Sequence, residues 1–260
     1  MDRLIGARTK IKRAKSHIQN FETARASFFG HDPYVVGTQR DPETRQLIYY
    51  VVSVEDVPPL LSSIVGDAIQ NLRTALDYLA YQLVVVGTGS EPSDRVYFPI
   101  FNSEKEYEAK KLGKIKGASE DAIKAIDSLK PYKGGNDLLW QIDKLNIVDK
   151  HRLLLTVGSA FCSVDLGAHM SQMMQSAFPD RDFPTIPLFV RPADKLCPLK
   201  AGDILLVDAP DAKPNKNMKF AFDIALSEPG IIQSESLLET LNDMANLVET
   251  IIAPFEVFLS

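Results

Sequence analysis

The 260-residue sequence is poor in cysteine and has no long apolar run. Its two cysteines, Cys162 and Cys197, form no CxxC motif and lack the spacing of a metal site. The longest apolar runs, such as LVVVG ending at Gly87, are far shorter than the ~20 residues that span a bilayer. We therefore expect a cytoplasmic protein with reduced thiols, no membrane segment, no metal site and no cofactor.

Motifs that identify the commonest enzyme classes are also absent. The sequence contains no GxSxG, no GxxxxGK[ST] and no HExxH, so nothing in it supports a serine hydrolase, a nucleoside triphosphatase or a zinc protease. A net charge of -5 argues against nonspecific nucleic-acid binding by the whole surface. A local basic cluster near the N-terminus is either a solvated helix face or a contact surface for a polyanion. Its members are Arg3, Arg8, Lys10, Lys12, Arg13 and Lys15.

Hydrophobic periodicity predicts an α+β fold in a single domain covering residues 1–260. The predicted helices cover about 2–29, 60–86, 136–152 and 234–258, and the predicted strands lie at about 34–54 and 153–228. The four helices can form a core that resembles a four-helix bundle, with an antiparallel sheet and an early hairpin at one side. A sheet with flanking helices is the structural alternative.

The helix predicted at about 60–86 carries polar residues that solubility alone does not require. Its apolar residues form one stripe, and short amides, carboxylates and tyrosines collect on the opposite side. Arg73 and Asp77 have the i,i+4 spacing of an intrahelical ion pair. This side is either half-buried structure or part of a binding groove. The residues predicted to line the groove are Asp67, Asn71, Arg73, Asp77 and Tyr78.

A second polar cluster ends the helix predicted at 136–152. Its members are Asn146, Asp149, Lys150, His151 and Arg152. His151 can cap the last carbonyls of the helix, because a cation is favourable there. Alternatively, His151 can donate or accept a proton, with Asp149 or Asp77 orienting its ring and an arginine stabilising an anion.

These two segments resemble a family of uncharacterised bacterial proteins. Its members share a GD-x-I-x-NLR-x-ALD-x-LA-x-QL helix and a later N-x-x-DKHR segment, which stand here at residues 66–83 and 146–152. The family has no established activity. The first segment also resembles the arginine helix of HEPN domains, which are cytosolic helical bundles often found in ribonucleases and defence systems. Arg73 matches the arginine of their R-x(4–6)-H motif, and Tyr78 stands where R-x4-H has its histidine.

Three hypotheses follow from these patterns. The first is a non-catalytic cytosolic protein that binds a nucleotide, a nucleic acid or another polar ligand in a groove lined by both polar clusters. A homodimer is a further expectation of this hypothesis. The second, implied by the HEPN resemblance, is a metal-independent ribonuclease in which Arg73 binds the phosphate and His151 replaces the missing histidine. In the third, both clusters are internal hydrogen-bond networks that hold helix to helix.

Overall fold

The protein has an α+β fold. The computed structural model describes residues 2–92, 95–152, 157–184, 188–191, 197–215, 218–233 and 236–259. The helices are α1 (Ile5–Phe29), α2 (Pro59–Thr88), α3 (Glu104–Lys114), α4 (Glu120–Ser128), α5 (Asp137–Arg152), α6 (Gly167–Ala177) and α7 (Leu237–Ile252), the last continued by a 3₁₀ segment at Ala253–Phe258. The strands are β1 (Tyr34–Arg40), β2 (Gln46–Val54), β3 (Val157–Asp165), β4 (Phe189–Val190), β5 (Ile204–Pro210), β6 (Lys219–Glu228) and β7 (Ile232–Gln233).

Helix α2 lies at the centre of the larger hydrophobic core. It packs against α1, α5 and α7, and its inward side chains, such as Leu72, Leu76 and Leu79, are fully buried. Proline at its first turn and Gly89 in the left-handed region at its C-cap set its ends, because proline needs no amide partner there and glycine accepts a positive φ. The long helices match the predicted ones, whereas the four-helix-bundle form of their core is not confirmed.

Side-chain caps begin several of the other helices. Ser103, Ser119 and Ser236 each accept a hydrogen bond from the backbone amide three residues later, and Asn136 does the same for α5. The sequence itself predicts these helix starts: Ser103 and Ser236 each begin a capping box, the acidic residues Glu120 and Asp121 follow Ser119, and Asn136 is a favoured N-cap residue. The caps explain why the starts of these helices could be placed accurately.

The strands form two antiparallel sheets, where the sequence predicted an antiparallel sheet and an early hairpin. Strands β1, β2 and β5 make one sheet, and the other has the order β4, β3, β6, β7. The predicted hairpin β1–β2 is present. Strand β5 pairs with β2 and not with the other late strands. This pairing lets Leu205 pack with Leu47, Tyr49 and Val51 in a second hydrophobic core between the sheets. Helix α6 also lies where only strands and turns were predicted.

The basic residues of α1 are partly neutralised inside the protein. Arg8 forms an ion pair with Glu256 at 3.0 Å, and Lys15 forms one with Glu249 at 2.7 Å. Part of the basic cluster is therefore a contact between α1 and the C-terminal region. None of the helices in the described part of the chain combines the length and the hydrophobicity that crossing a membrane requires.

Candidate functional site

Arg73 lies at the centre of a buried ion-pair cluster. Only 8% of the residue is exposed. Its Nε donates to Oδ1 of Asp143 on α5 at 2.9 Å, one terminal nitrogen donates to Oδ1 of Asp77 at 2.5 Å, and the other donates to the backbone carbonyl of Phe98 at 3.0 Å. The predicted Arg73–Asp77 pair is confirmed, and Asp143 extends it to a second helix.

Asp77 links this cluster to the segment that follows α2. Its Oδ1 also accepts a hydrogen bond from the Phe98 amide at 2.8 Å, so Arg73 and Asp77 together hold both backbone groups of Phe98. Burial raises the pKa of Asp77 above its ordinary value, although Arg73 and the Phe98 amide oppose the shift. The Phe98 side chain is itself buried in the main hydrophobic core, so this segment is held by its side chain as well as by its backbone.

Two other predicted site residues, Asp67 and Asp149, lie farther along the contact between α2 and α5. Asp149 packs directly against Gly66, where a Cβ would lie 2.6 Å from its Cγ. Burial raises the pKa of Asp149, and the negative charge of Asp67 raises it further, while Lys150 lowers it. Because Gly66 and Arg73 are seven residues apart on one helix, roughly 10 Å separates this contact from the centre of the Arg73 cluster.

Replacing Asp149 by asparagine is expected to stabilise the protein at neutral pH. The Asp149 carboxyl has a higher pKa in the folded than in the unfolded chain, so its ionisation lowers the free energy of unfolding. This loss is absent below the ordinary pKa of about 3.9 and grows as pH rises through the folded-state pKa. Urea unfolding between pH 4 and pH 8 should show a gain in the free energy of unfolding at pH 7 that vanishes towards pH 4. The exposed Asp243→Asn substitution is the control. A loss of stability at pH 7 would contradict the expectation.

The other predicted residues divide between buried and exposed positions. The Asn71 side chain donates to the Asp67 carbonyl at 2.8 Å within α2. Asn146 is 6% exposed, and its Oδ1 has no hydrogen-bond partner among the described residues. Lys150 is exposed. The side chains of His151 and Arg152 lie outside the described part of the structure, so its geometry does not bear on their predicted meeting with Arg73.

An open groove lies on the other side of Asp77, between α1 and α2. We call it the α1–α2 groove; its volume is about 880 Å³. Asp77 and Tyr78 from the predicted set line it, and Tyr78 is 44% exposed. A Cβ on Gly6 of α1 would lie only 2.9 Å from Cδ2 of Tyr78, so the missing side chain lets the ring lie directly against α1. The further residues that line the groove are Asp2, Arg3, Ile5, Gly6, Tyr81, Gln82, Val85, Glu91 and Val96.

A second cavity, of about 750 Å³, opens between the two sheets. Aromatic rings of Tyr34, Tyr49, Phe220 and Phe222 are among its walls. It contains none of the residues predicted from the sequence. Within the described residues, the α1–α2 groove gives part of the predicted site, Asp77 and Tyr78, a connection to solvent.

The sequence patterns missed Asp143 and most of the groove. Asp143, Asn146 and Asp149 recur every three residues on α5, and this spacing could have indicated that Asp143 faces α2 with the other two. Nothing comparable indicates the groove residues of α1, because they approach Tyr78 only when the two helices pack.

Comparisons with known proteins add no functional information. The chain matches no protein-family model, and neither the curated proteins nor the solved structures compared with it give a significant match. Within the described residues, no group of three or more His, Cys, Asp and Glu side chains is placed to hold a metal ion. The resemblance to HEPN domains therefore stays a prediction, and the geometry alone supports a functional proposal.

Proposed function

We propose that the protein is a binding protein whose ligand occupies the α1–α2 groove. The observation that carries this proposal is the open cavity beside Asp77 and Tyr78. Its volume of about 880 Å³ lies within the range of ~300–1,000 Å³ that is common for small-molecule sites. The buried Arg73 cluster then has a supporting role, because it fixes the position of Asp77 at the groove.

The proposed binding site lies between α1 and α2, whereas the groove predicted from the sequence lay between α2 and α5. At the α2–α5 contact Arg73 donates to acceptors within the protein, and Asn71 donates within its own helix. On the side of α1, in contrast, Tyr78 exposes its ring next to Gly6. A ligand can reach this surface without breaking a buried ion pair.

A fragment screen observed by protein NMR tests the proposal. Small apolar and aromatic molecules of positive, negative and zero charge are titrated against the labelled protein, and we expect saturable shifts of the Gly6, Tyr78 and Gln82 amides for part of the set. The Ile5→Trp variant should abolish these shifts, because Ile5 lines the groove, is 63% exposed, and can be enlarged without disturbing the core.

The matched control is Ile147→Trp, which enlarges an exposed side chain of α5 that does not line the groove. It should leave the groove shifts unchanged. Shifts that survive Ile5→Trp, or that map only to the cavity between the sheets, would show that the proposed site is wrong.

The ribonuclease alternative requires a phosphate to reach the Arg73 guanidinium. That group is buried and donates to two carboxylates and a carbonyl. A phosphate would have to displace these acceptors, so the geometry favours the binding protein. The ribonuclease alternative predicts that the wild-type protein cleaves mixed RNA without added metal. It also predicts that the Arg73→Lys variant leaves the RNA intact. Intact RNA after long incubation with the wild type would contradict it.

A further inference from the structure

The ionisable side chains of the α1–α2 groove are mainly acidic. Among the described residues that line it, Asp2, Asp77 and Glu91 contribute carboxylates, and Arg3 contributes the single guanidinium. A concave surface with an excess of one charge attracts ligands of the opposite charge. The groove therefore favours a cation over a phosphate-bearing ligand.

Two of the three carboxylates have an oxygen available for a ligand. Asp2 is already occupied, because its oxygens accept from the Leu4 amide at 2.9 Å and from the Arg8 guanidinium at 2.7 Å. Asp77 uses Oδ1 for its internal partners, and its Oδ2 forms no hydrogen bond within the described chain. Glu91 is exposed and takes part in no ion pair with another described residue.

Aromatic and aliphatic surfaces complete the groove. Tyr78 and Tyr81 lie one turn apart on α2, and one edge of the Tyr78 ring rests against Gly6. Aromatic faces attract ammonium and guanidinium groups through their quadrupoles. Ile5 and Val85 add aliphatic surface that suits the hydrocarbon part of a ligand.

We propose that the α1–α2 groove binds a small organic amine, in which an ammonium group is carried on an apolar or aromatic skeleton. The ammonium group lies between the carboxylates of Asp77 and Glu91 and the tyrosine rings, and the skeleton packs on Ile5 and Val85. This inference rests on the proposed function of the groove. It replaces a nucleotide or RNA as the expected ligand.

Three probes of similar size and different charge test the inference. They are 2-phenylethylamine, 2-phenylethanol and phenylacetate, which are cationic, neutral and anionic at pH 7. Each is titrated against the labelled wild-type protein while the Gly6 and Tyr78 amides are followed by NMR. We expect the amine to bind most tightly and the carboxylate at least roughly tenfold more weakly, since a carboxylate contact and a cation–π contact both favour the amine.

Substitutions separate the two sources of the preference. Glu91→Gln should weaken amine binding roughly threefold and leave 2-phenylethanol unchanged, because it removes only a charge. Tyr78→Phe should keep the amine preference, whereas Tyr78→Leu should lose a large part of it, since phenylalanine retains an aromatic face. Glu22→Gln is the matched control: it removes an exposed carboxylate of α1 about 24 Å along the helix from Gly6.

The outcomes distinguish this inference from the proposed function. Equal affinities for the three probes, or tighter binding of phenylacetate, would overturn the amine as ligand and leave the groove as a binding site. Unchanged amine binding in both Glu91→Gln and Tyr78→Leu would overturn it too. If none of the three probes shifts the groove amides, the inference is wrong. If no molecule of the fragment screen shifts these amides either, the proposed function is wrong as well.

Discussion

Replacing Arg73 by leucine is expected to lower the free energy of unfolding by about 3–5 kcal/mol. Leucine would leave the half-buried Asp77 and the buried Asp143 as neighbouring carboxylates without their shared cation, and the Phe98 carbonyl without its Arg73 donor. For a chain of this length the melting temperature should fall by about 10 °C. Urea unfolding is followed through the fluorescence of Trp140, which is buried and is the single tryptophan.

The pH dependence of this loss of stability tests whether the unpaired carboxylates cause it. Burial raises the pKa of Asp77, so in Arg73→Leu this carboxyl takes up a proton as pH falls and no longer needs a cation. The deficit of Arg73→Leu should therefore shrink towards acidic pH. Arg13→Leu is the matched control, because Arg13 is exposed on α1, and it should change stability by less than ~0.5 kcal/mol. A loss below about 1 kcal/mol in Arg73→Leu would show that the cluster is not structural and would revive Arg73 as a ligand-binding residue.

The second large effect is expected for Gly66→Ala, and its sign should depend on Asp149. In the wild type the added Cβ would collide with the Asp149 carboxylate, which has to move within a packed contact between α2 and α5. Such overpacking typically costs about 1–3 kcal/mol. In an Asp149→Ala background the collision is absent, and alanine should stabilise the helix by up to about 1 kcal/mol relative to glycine.

A double-mutant cycle measures this reversal directly. The four proteins are wild type, each single variant and the double variant, and the free energy of unfolding is obtained for each at one pH. Gly113→Ala is the matched control, because Gly113 lies in helix α3 and a Cβ there would meet nothing within 4 Å. Equal effects of Gly66→Ala in both backgrounds would mean that the Gly66–Asp149 contact does not limit the packing of these helices.

Much of the helical architecture could be predicted because its signals are local. Apolar periodicity located α1, α2, α5 and α7, and serine caps located the starts of α3, α4 and α7. The Arg73–Asp77 pair followed from spacing within one helix. In each case the interacting residues are close in sequence, so no knowledge of the tertiary structure was needed.

What could not be predicted depends on how distant segments meet. The third acceptor of Arg73 is a backbone carbonyl of the connector, and no side-chain pattern marks it. The division of the strands into two sheets depends on the pairing of β5 with β2, which are separated by about 150 residues of sequence. The α1–α2 groove likewise exists only where Gly6 approaches Tyr78.

The contact between α1 and α7 has a consequence for folding on the ribosome. The ion pairs Arg8–Glu256 and Lys15–Glu249 join residues 248 and 234 positions apart. At a synthesis rate of about 5–20 residues per second, α1 therefore emerges roughly 10–50 s before its partner on α7. During that interval α1 can pack on α2, but the side of α1 that α7 later covers stays exposed.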